Sequence, residues 1–375
     1  MAYELSEDEQ LIEKVVAEFA RDQIGLEAAH DADRFDRFPA AHIQAAAGLG
    51  LTSLSLAADE GGAGAGPTAL ALALEQVASV CVNTAAVLAC HNWGLRLLRH
   101  GDAAALAGPA AGEVVCVLAT EEAHGSDKSR IGTDAVPDGD GFVLTGMKVW
   151  GLGAAGARHF VVLAKVPGSG GTLFVVPADA AGVTLGQNEP LMGLRASGIR
   201  TVYLSGVRVG AGAMLGAPGE GASILAAEMP WLHVGVAAAL TGATRGAFAA
   251  AAEFATTRVQ FGKAIGTFQA VSDMVTDVDT QMHAARALTL AAAARLAEPD
   301  GAIWAARAKS FAARRAVDMT RTAIRIQGGT GFMREGGTER FARDVRALQF
   351  VGEPAHMQRD LLKRHLLDLE FEATP

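Results

Sequence analysis

The first third of the chain carries apolar residues at helical spacing. Residues 6–9 (SEDE) form a capping-box pattern, and the apolar positions that follow are Leu11, Ile12, Val15, Val16 and Phe19. Pro39 stands where a second helix can begin, and residues 61–67 (GGAGAGP) form a loop before an apolar helix over 68–90. The pattern predicts an N-terminal α-helical domain over residues 1–113.

From about residue 114 the pattern changes to short β-rich runs. Turns rich in Gly, Pro and Asp, such as PDGDG at 137–141, separate the runs VVCVLA, FVLTGMKVW, HFVVLAKV, TLFVVP and TVYLSGVRV. Because no helical stretch lies between them, the sheet is expected to be antiparallel, in a small barrel or sandwich. This middle β domain is predicted over residues 114–217.

Long helical patterns return after Pro218, over about 220–257, 264–297, 301–326 and 354–370. Residues 298–301 (EPDG) form a tight turn, and 328–337 form a glycine-rich loop. A C-terminal helical bundle is therefore predicted over residues 218–375. The complete chain is expected to have an α+β fold in helical, β and helical order.

Composition narrows the class of protein without naming a function. Half of the 375 residues are apolar, and the net charge of −9 with a pI near 5.6 argues against nucleic-acid binding. The longest uncharged run, 76–95, is interrupted by polar residues and is expected to be a buried helix, so no membrane partner is predicted. An acidic N-terminus without a secretory pattern and three cysteines without a CxxC pair predict a cytoplasmic protein with reduced thiols.

A GxGxxG sequence at residues 151–156 (GLGAAG) suggests a dinucleotide-binding loop. Such a loop must open a helix whose N-terminus holds the pyrophosphate. The next run, 159–166, has a strand pattern instead, so a turn between strands is the favoured interpretation. The ten histidines show no metal-ligand spacing, and no metal is predicted.

Several other segments suit cofactor chemistry, although each has an ordinary interpretation. Residues 119–127 (ATEEAHGSD) can approach a flat ring, or form a simple polar loop. Trp150 ends a strand, where a tryptophan is more often part of the core. Arg258 and Arg325 follow or end helical patterns and can meet phosphates or cap helix carbonyls.

In order and approximate spacing, these segments resemble the acyl-CoA dehydrogenase family. The family's patterns are approximately TEPxAGSD, GxKxWITN, MGxRxSxT, RxxFGxxIxxFQ, QxxGGxGY and RD. This chain has ATEEAHGSD at 119–127, GMKVW at 146–150, MGLRAS at 192–197, RVQFGK at 258–263, RIQGGTG at 325–331 and RD at 343–344. The resemblance spans essentially the whole chain. It implies an FAD enzyme, a homodimer or homotetramer, that oxidises an acyl thioester.

The resemblance also implies three groups of cofactor-binding residues. Those expected beside the flavin ring are Thr120, Ser126 and Trp150, with Trp150 stacking on the ring and Ser126 contacting either the flavin or the substrate. Those expected to reach the FAD of a neighbouring subunit are Arg258, Phe261, Phe268 and Gln269. Those expected at the pyrophosphate are Arg325, Gly328 and Gly329, with Arg325 in place of the family's usual Gln.

The largest departure from the family concerns the catalytic base, a carboxylate that removes the proton α to the thioester carbonyl. The family's common base position falls on Gly352, and its alternative position on an earlier helix falls on Leu232. Two nearby carboxylates are candidates, namely Glu353 in the same loop and Glu228 one helical turn before Leu232. His233 is a weaker candidate.

Both carboxylates also have ordinary interpretations, Glu353 as a charge at a helix N-terminus and Glu228 as a polar residue near a helix start. We rank Glu353 first because it lies in the loop that normally carries the base. Pro354 is expected to bias Glu353 toward an extended conformation. In a further departure, Leu152 replaces the threonine whose hydroxyl normally faces the flavin.

Three functions remain open from the sequence. The first is an acyl-CoA or acyl-carrier-protein dehydrogenase of secondary metabolism, similar to the enzymes of methoxymalonyl polyketide extender-unit formation. An arginine-rich stretch over 307–364 can dock an acidic carrier protein or serve FAD phosphates and subunit contacts. The second is a flavin-dependent monooxygenase on the same fold, and the third is a non-catalytic FAD-binding protein. The sequence leaves the acyl group and the electron acceptor open.

Overall fold

The computed structural model describes residues 4–121, 125, 127 and 130–367. Its N-terminal helices are α1 (Glu7–Phe19), α2 (Leu26–Arg34), α3 (Ala40–Gly48), α4 (Gly66–Ala78), α5 (Val82–Leu98) and α6 (Ala107–Ala110). The predicted capping box begins α1, because Ser6 Oγ accepts from the Glu9 amide at 3.2 Å and Glu9 Oε2 accepts from the Ser6 amide at 2.9 Å. Pro39 precedes a helix as predicted, but that helix is the third, α3, because α2 lies before it.

The predicted helix over 68–90 is two helices, α4 and α5. The Ser79 hydroxyl bonds to the Gln76 carbonyl at 2.7 Å where α4 ends, and Cys81 has an extended backbone that restarts the chain as α5. A serine that satisfies a local carbonyl competes with helix propagation. Most residues of both helices are buried, which confirms the prediction that 76–95 belongs to the core.

The middle of the chain forms one eight-stranded sheet in the order β6-β7-β3-β2-β4-β5-β8, with β1 also paired to β4. The strands are β1 (Val114–Leu118), β2 (Asp134–Asp138), β3 (Gly141–Gly151), β4 (Ala157–Val166), β5 (Gly170–Pro177), β6 (Val183–Asn188), β7 (Arg200–Gly210) and β8 (Met214–Leu215). Most pairs are antiparallel, as predicted. The exceptions are β1 and the first residue of β2, Asp134, which pair parallel with β4. Parallel pairing needs a connection longer than a hairpin, and neither β1 nor β2 directly precedes β4 in the chain.

The GLGAAG segment is a turn between strands, as predicted. Gly153 has a left-handed backbone (φ 85°), a short 3₁₀ turn follows at Ala154–Gly156, and β4 begins at Ala157. No helix opens there to hold a pyrophosphate, so the segment has no dinucleotide-binding geometry.

The C-terminal part is helical. Its long elements are α7 (Gly221–Thr257), α8 (Gln269–Ala294), α9 (Gly301–Gln327), α10 (Thr338–Leu348) and α11 (Ala355–Leu367), and a hairpin of β9 (Val259–Gln260) and β10 (Lys263–Ala264) joins α7 to α8. By length and composition α7 can cross a membrane, but most of it is buried inside the protein, which is typical of a core helix. The predicted α+β fold, helical then β then helical, is confirmed.

Helix α10 was missed by the sequence prediction. Its segment is rich in charged residues, and only Phe341, Val345 and Leu348 supply the buried apolar stripe at helical spacing. One continuous core joins the N-terminal helices to α7, α9 and α10, and the sheet has a second core of its own. All three cysteines are buried, and none of them forms a disulfide.

Candidate functional site

A cavity of about 580 Å³ lies where the sheet meets both sets of helices. Residues from β1, β3, α5, α7 and α10 line it, together with the loop between α10 and α11. The lining is mostly apolar, and among the described residues that line it Glu353 is the only carboxylate. A large apolar cavity with few polar groups is the usual form of a small-molecule site.

Thr120 and Trp150, both expected beside the flavin ring, lie on the sheet side of this cavity. Trp150 has a left-handed backbone (φ 59°) beside an irregularity in the β3–β7 pairing, and half of its side chain is exposed. The carbonyl of Thr120 accepts from the amide of Val149 at 3.0 Å, which ties the loop after β1 to β3. Ser126, the third residue expected beside the flavin, lies outside the described residues.

A buried ion pair lies directly behind these two residues, and sequence reasoning missed it. Lys148 Nζ donates to Glu121 Oε1 at 2.6 Å, and the carboxylate also accepts from the amides of Gly132 at 2.6 Å and Thr133 at 2.9 Å. Burial raises the pKa of Glu121, but these hydrogen bonds outweigh it and hold the pKa at about 2. The available signal was a lysine between two apolar residues of a strand, because such a charge needs a buried partner.

The opposite wall of the cavity is the loop that carries Gly352 and Glu353. Glu353 lines the cavity, and its side chain is 21% exposed. Its backbone is left-handed (φ 77°), so the expected extended conformation before Pro354 is wrong. Gly352 is also left-handed (φ 65°), and the Lys309 ammonium donates to the carbonyls of both residues. These hydrogen bonds from a distant helix outweigh the preference of a residue before proline for an extended backbone.

The two base positions of the family resemblance meet in space. A Cβ added to Gly352 lies 3.0 Å from the side chain of Leu232 and 3.5 Å from that of His233. Here neither position carries a carboxylate, and apolar atoms of Leu232 fill the place beside Gly352. The only carboxylate that the described loop brings to this wall is that of Glu353.

Glu228 does not line the cavity. Its Oε2 accepts from Arg96 Nε at 2.8 Å, and its Oε1 lies 3.0 Å from His100 Nε2. The guanidinium of Arg96 also lies over the ring of Trp231, 4.6 Å from its centroid. The helical turn that brings Met229 and Leu232 to the cavity directs Glu228 toward α5. Its position fits a structural ion pair.

Two further segments of the resemblance form one buried junction at the cavity edge. The Asp344 carboxylate accepts from the Leu194 amide at 2.7 Å, and the Arg343 guanidinium donates to the Met192 carbonyl at 3.0 Å. A Cβ on Gly193 clashes with the Arg343 carbonyl, so only glycine fits this close approach. Burial raises the pKa of Asp344 to about 6, against the opposing effect of nearby Arg340.

The residues expected to reach a neighbouring FAD lie away from the cavity. Arg258, Phe261, Phe268 and Gln269 lie on or beside the β9–β10 hairpin. Phe261 is 94% exposed with a left-handed backbone (φ 50°), and its ring packs edge-on against Phe268 at 6.1 Å. An almost fully exposed phenylalanine on a small hairpin is typical of an intermolecular contact.

The residues expected at the pyrophosphate are also exposed and outside the cavity, at the end of α9. They are Arg325, Gly328 and Gly329. In the described part of the chain neither Arg258 nor Arg325 forms a side-chain ion pair, and a Cβ on either glycine meets no neighbouring atom within 4 Å. Exposed guanidiniums without carboxylate partners, beside open glycine backbone, fit phosphate groups.

Comparison with protein families gives matches along almost the whole chain. The N-terminal, middle and C-terminal domains of acyl-CoA dehydrogenases match residues 6–106, 116–207 and 219–367. Cyclohex-1-ene-1-carbonyl-CoA dehydrogenase of Geobacter metallireducens is 33% identical, over 97% of this chain and 99% of that protein.

Two solved structures are similar over nearly their full lengths. Butyryl-CoA dehydrogenase from Megasphaera elsdenii superimposes with a TM-score of 0.94 at 27% identity, over 98% of this chain and 100% of that one. The prolyl acyl carrier protein oxidase AnaB superimposes with a TM-score of 0.90 at 25% identity, over 97% of this chain and 100% of that one.

Proposed function

The chain belongs to the acyl-CoA dehydrogenase family of FAD-dependent acyl-thioester dehydrogenases, and we propose that it uses Glu353 as its catalytic base. One observation carries this proposal. Glu353 lines the same cavity as Thr120 and Trp150, in the loop that also holds the family's base position. Relative to the family's base position, the carboxylate lies one residue later in the chain but on the same wall of the cavity.

The cavity fits the flavin part of FAD. Its volume lies within the roughly 300–1,000 Å³ typical of small-molecule sites, and the half-exposed indole of Trp150 offers a flat surface to a ring. The exposed guanidiniums of Arg258 and Arg325 suit the two phosphates of FAD, with Arg258 contributed by one subunit and Arg325 by the other. When bound, FAD supplies the acceptor for the hydride that leaves the β carbon.

The remaining work belongs to side chains of this chain. Glu353 takes the α proton of the thioester on its carboxylate, and Leu232 and Val351 keep that wall apolar. An apolar wall limits competing proton exchange with water. Leu152 offers no hydroxyl at the flavin edge, so orientation there depends on packing and on backbone groups.

We further propose that the acyl group is carried as a thioester on an acyl carrier protein, in a pathway of secondary metabolism. Similarity to a prolyl acyl carrier protein oxidase supports a carrier protein, while the similar butyryl-CoA and cyclohexenecarbonyl-CoA dehydrogenases act on CoA thioesters. Exposed arginines of α9, among them Arg314 and Arg321, offer positive charge to an acidic carrier.

Anaerobic titration of the bound flavin tests this function. The panel is butyryl-CoA, cyclohex-1-ene-1-carbonyl-CoA, and the butyryl and prolyl thioesters of an acyl carrier protein. We expect at least one thioester to bleach the flavin, and the carrier-protein thioesters to do so at lower concentration than the CoA thioesters. A flavin that no thioester bleaches but that consumes oxygen rapidly with NADH or a reductase indicates the monooxygenase. A flavin inert in both assays indicates a non-catalytic protein.

Removal of both phosphate-facing guanidiniums is expected to release FAD. In Arg258→Ala/Arg325→Ala, binding weakens by several kcal/mol, given about 1.5–3 kcal/mol for each hydrogen bond to a charged group. The measurement is the flavin-to-protein absorbance ratio after dialysis. Arg314→Ala/Arg321→Ala is the matched control, because both of its arginines are exposed on α9.

The same measurement, combined with light scattering, tests the contribution of a second subunit. Because Arg258 and Phe261 lie outside the cavity of their own chain, we expect flavin only in dimers or larger assemblies. Full flavin occupancy in a strictly monomeric species, or FAD retained unchanged by the double variant, contradicts the assignment.

A further inference from the structure

Three buried side chains lie behind the loop that carries Glu353. They are His233 on α7, Lys309 on α9 and Gln358 on α11, all almost fully buried. The polar atoms of all three face the carbonyls of Gly352 and Glu353. Side chains from three different helices therefore meet on two consecutive peptide groups.

Of the three contacts to the Gly352 carbonyl oxygen, the one made by His233 is the shortest. Its Nε2 lies 2.8 Å from the carbonyl oxygen of Gly352, compared with 3.0 Å for Lys309 Nζ and 3.4 Å for Gln358 Nε2. Because a carbonyl only accepts, the contact with the Gly352 oxygen assigns the hydrogen to Nε2 of His233, and the Gln358 Nε2 that lies 3.3 Å from the same nitrogen then donates to the loop carbonyls instead. The same Nε2 lies 3.9 Å from Glu353 Oε2.

The loop needs such support because its backbone is unusual. Gly352 and Glu353 both have positive φ values, 65° and 77°. A residue with a side chain keeps a left-handed backbone only when its surroundings hold it there. If that hold is released, Glu353 relaxes toward the extended conformation that a residue before proline prefers, and its carboxylate moves.

We infer that His233 is a positioning residue, whose Nε2–H holds the Gly352 carbonyl and thereby directs the Glu353 carboxylate to the substrate. The inference rests on the proposed role of Glu353 as base. His233 is one residue beyond Leu232, so α7 brings it to the wall that the family uses for its alternative base. In this chain α7 supports the Glu353 carboxylate on the loop between α10 and α11 and does not supply a base of its own.

Substitutions at His233 separate the hydrogen bond from the bulk of the ring. His233→Leu removes the donor, His233→Gln places an amide nitrogen at about the reach of Nε2, and His233→Asn places one at about the reach of Nδ1. The readouts are the limiting rate constant of anaerobic flavin reduction and the Kd of the thioester. The probe is whichever panel thioester bleaches wild-type flavin fastest, and the holoenzyme is used throughout.

We expect His233→Leu and His233→Asn to lower the limiting rate by about 10- to 100-fold, since a misplacement of about 1 Å can cost a factor of 10². His233→Gln is expected to recover most of the rate. FAD content and thioester Kd are expected to stay near the wild-type values, because His233 contacts the loop and does not line the cavity. If His233→Leu does not retain FAD, the comparison of His233→Asn with His233→Gln decides.

Two results overturn the inference. One is a wild-type limiting rate in His233→Leu or His233→Asn, and the other is an equal loss in the Gln and Asn variants. Glu353→Gln, measured alongside, separates this failure from failure of the base assignment. Slow flavin reduction in Glu353→Gln together with a wild-type rate in His233→Leu refutes the positioning role alone. A wild-type rate in Glu353→Gln refutes both the positioning role and the base assignment.

Discussion

Glu353→Gln is expected to slow flavin reduction by an acyl thioester by about 10²- to 10⁴-fold, the usual contribution of a general base. The substitution keeps the size of the side chain and removes its ability to take a proton. The backbone carbonyls that bind Lys309 and His233 are unchanged, so FAD content and folding are expected to stay near wild type. Anaerobic stopped-flow measurement of flavin absorbance checks this result.

Glu228→Gln is the matched control for that experiment. Its carboxylate is paired with Arg96 and His100 and does not line the cavity, so the variant is expected to lose some stability while its flavin is reduced at nearly the wild-type rate. A wild-type rate in Glu353→Gln contradicts the assignment of the base. If both variants reduce normally, the monooxygenase becomes the better interpretation.

Glu121→Gln is expected to lower the free energy of unfolding by about 3–5 kcal/mol, because it leaves the fully buried Lys148 ammonium without its anionic partner. Lys148→Met is expected to cost less, since the Glu121 carboxylate keeps hydrogen bonds from Gly132 and Thr133. Chemical denaturation with excess FAD measures both. In a double-mutant cycle the two losses are expected not to add.

An exposed ion pair in the same sheet provides the control. Asp134 and Lys165 are 3.0 Å apart, and each side chain is about half exposed, so Asp134→Asn is expected to cost less than about 1 kcal/mol. An equal cost at Glu121 and Asp134 contradicts the role assigned to burial.

The Glu121 pair also has a predicted pH dependence. The folded-state pKa of Glu121 is about 2, below its usual value of 4.5, so its stabilising contribution is complete above about pH 4.5. That contribution is lost as the pH falls toward 2. The difference in unfolding free energy between wild type and Glu121→Gln is therefore expected to shrink between about pH 5 and pH 3. A difference that is constant over this range contradicts the pKa assignment.

Most helices and strands were predictable because their signals are local. The Ser6 capping box, the β-rich runs and the long apolar pattern of α7 all lie within single segments. The parallel pairing of β1 with β4 depends on segments about forty residues apart, and the local pattern of each strand does not reveal its partner. Helix α10 was missed because charged residues outnumber the three apolar positions of its buried stripe.

The candidate site was predictable in its residues and less so in its geometry. Motif order identified Thr120, Trp150 and Glu353, which the fold brings to one cavity. The left-handed backbone of Glu353 was not predictable, because it depends on hydrogen bonds from Lys309 and His233, which are distant in sequence. The position of Glu228 depends in the same way on α5, more than a hundred residues away.

Exchange of the α proton with solvent shows directly whether Glu353 is the base. The substrate is a thioester whose β carbon bears no hydrogen, such as 3,3-dimethylbutyryl-CoA or its carrier-protein counterpart, so that proton removal proceeds without hydride transfer. In D₂O, mass spectrometry is expected to show deuterium entering the α position with the wild-type holoenzyme and with Glu228→Gln, but not with Glu353→Gln. Exchange by Glu353→Gln at the wild-type rate would show that another group removes the proton.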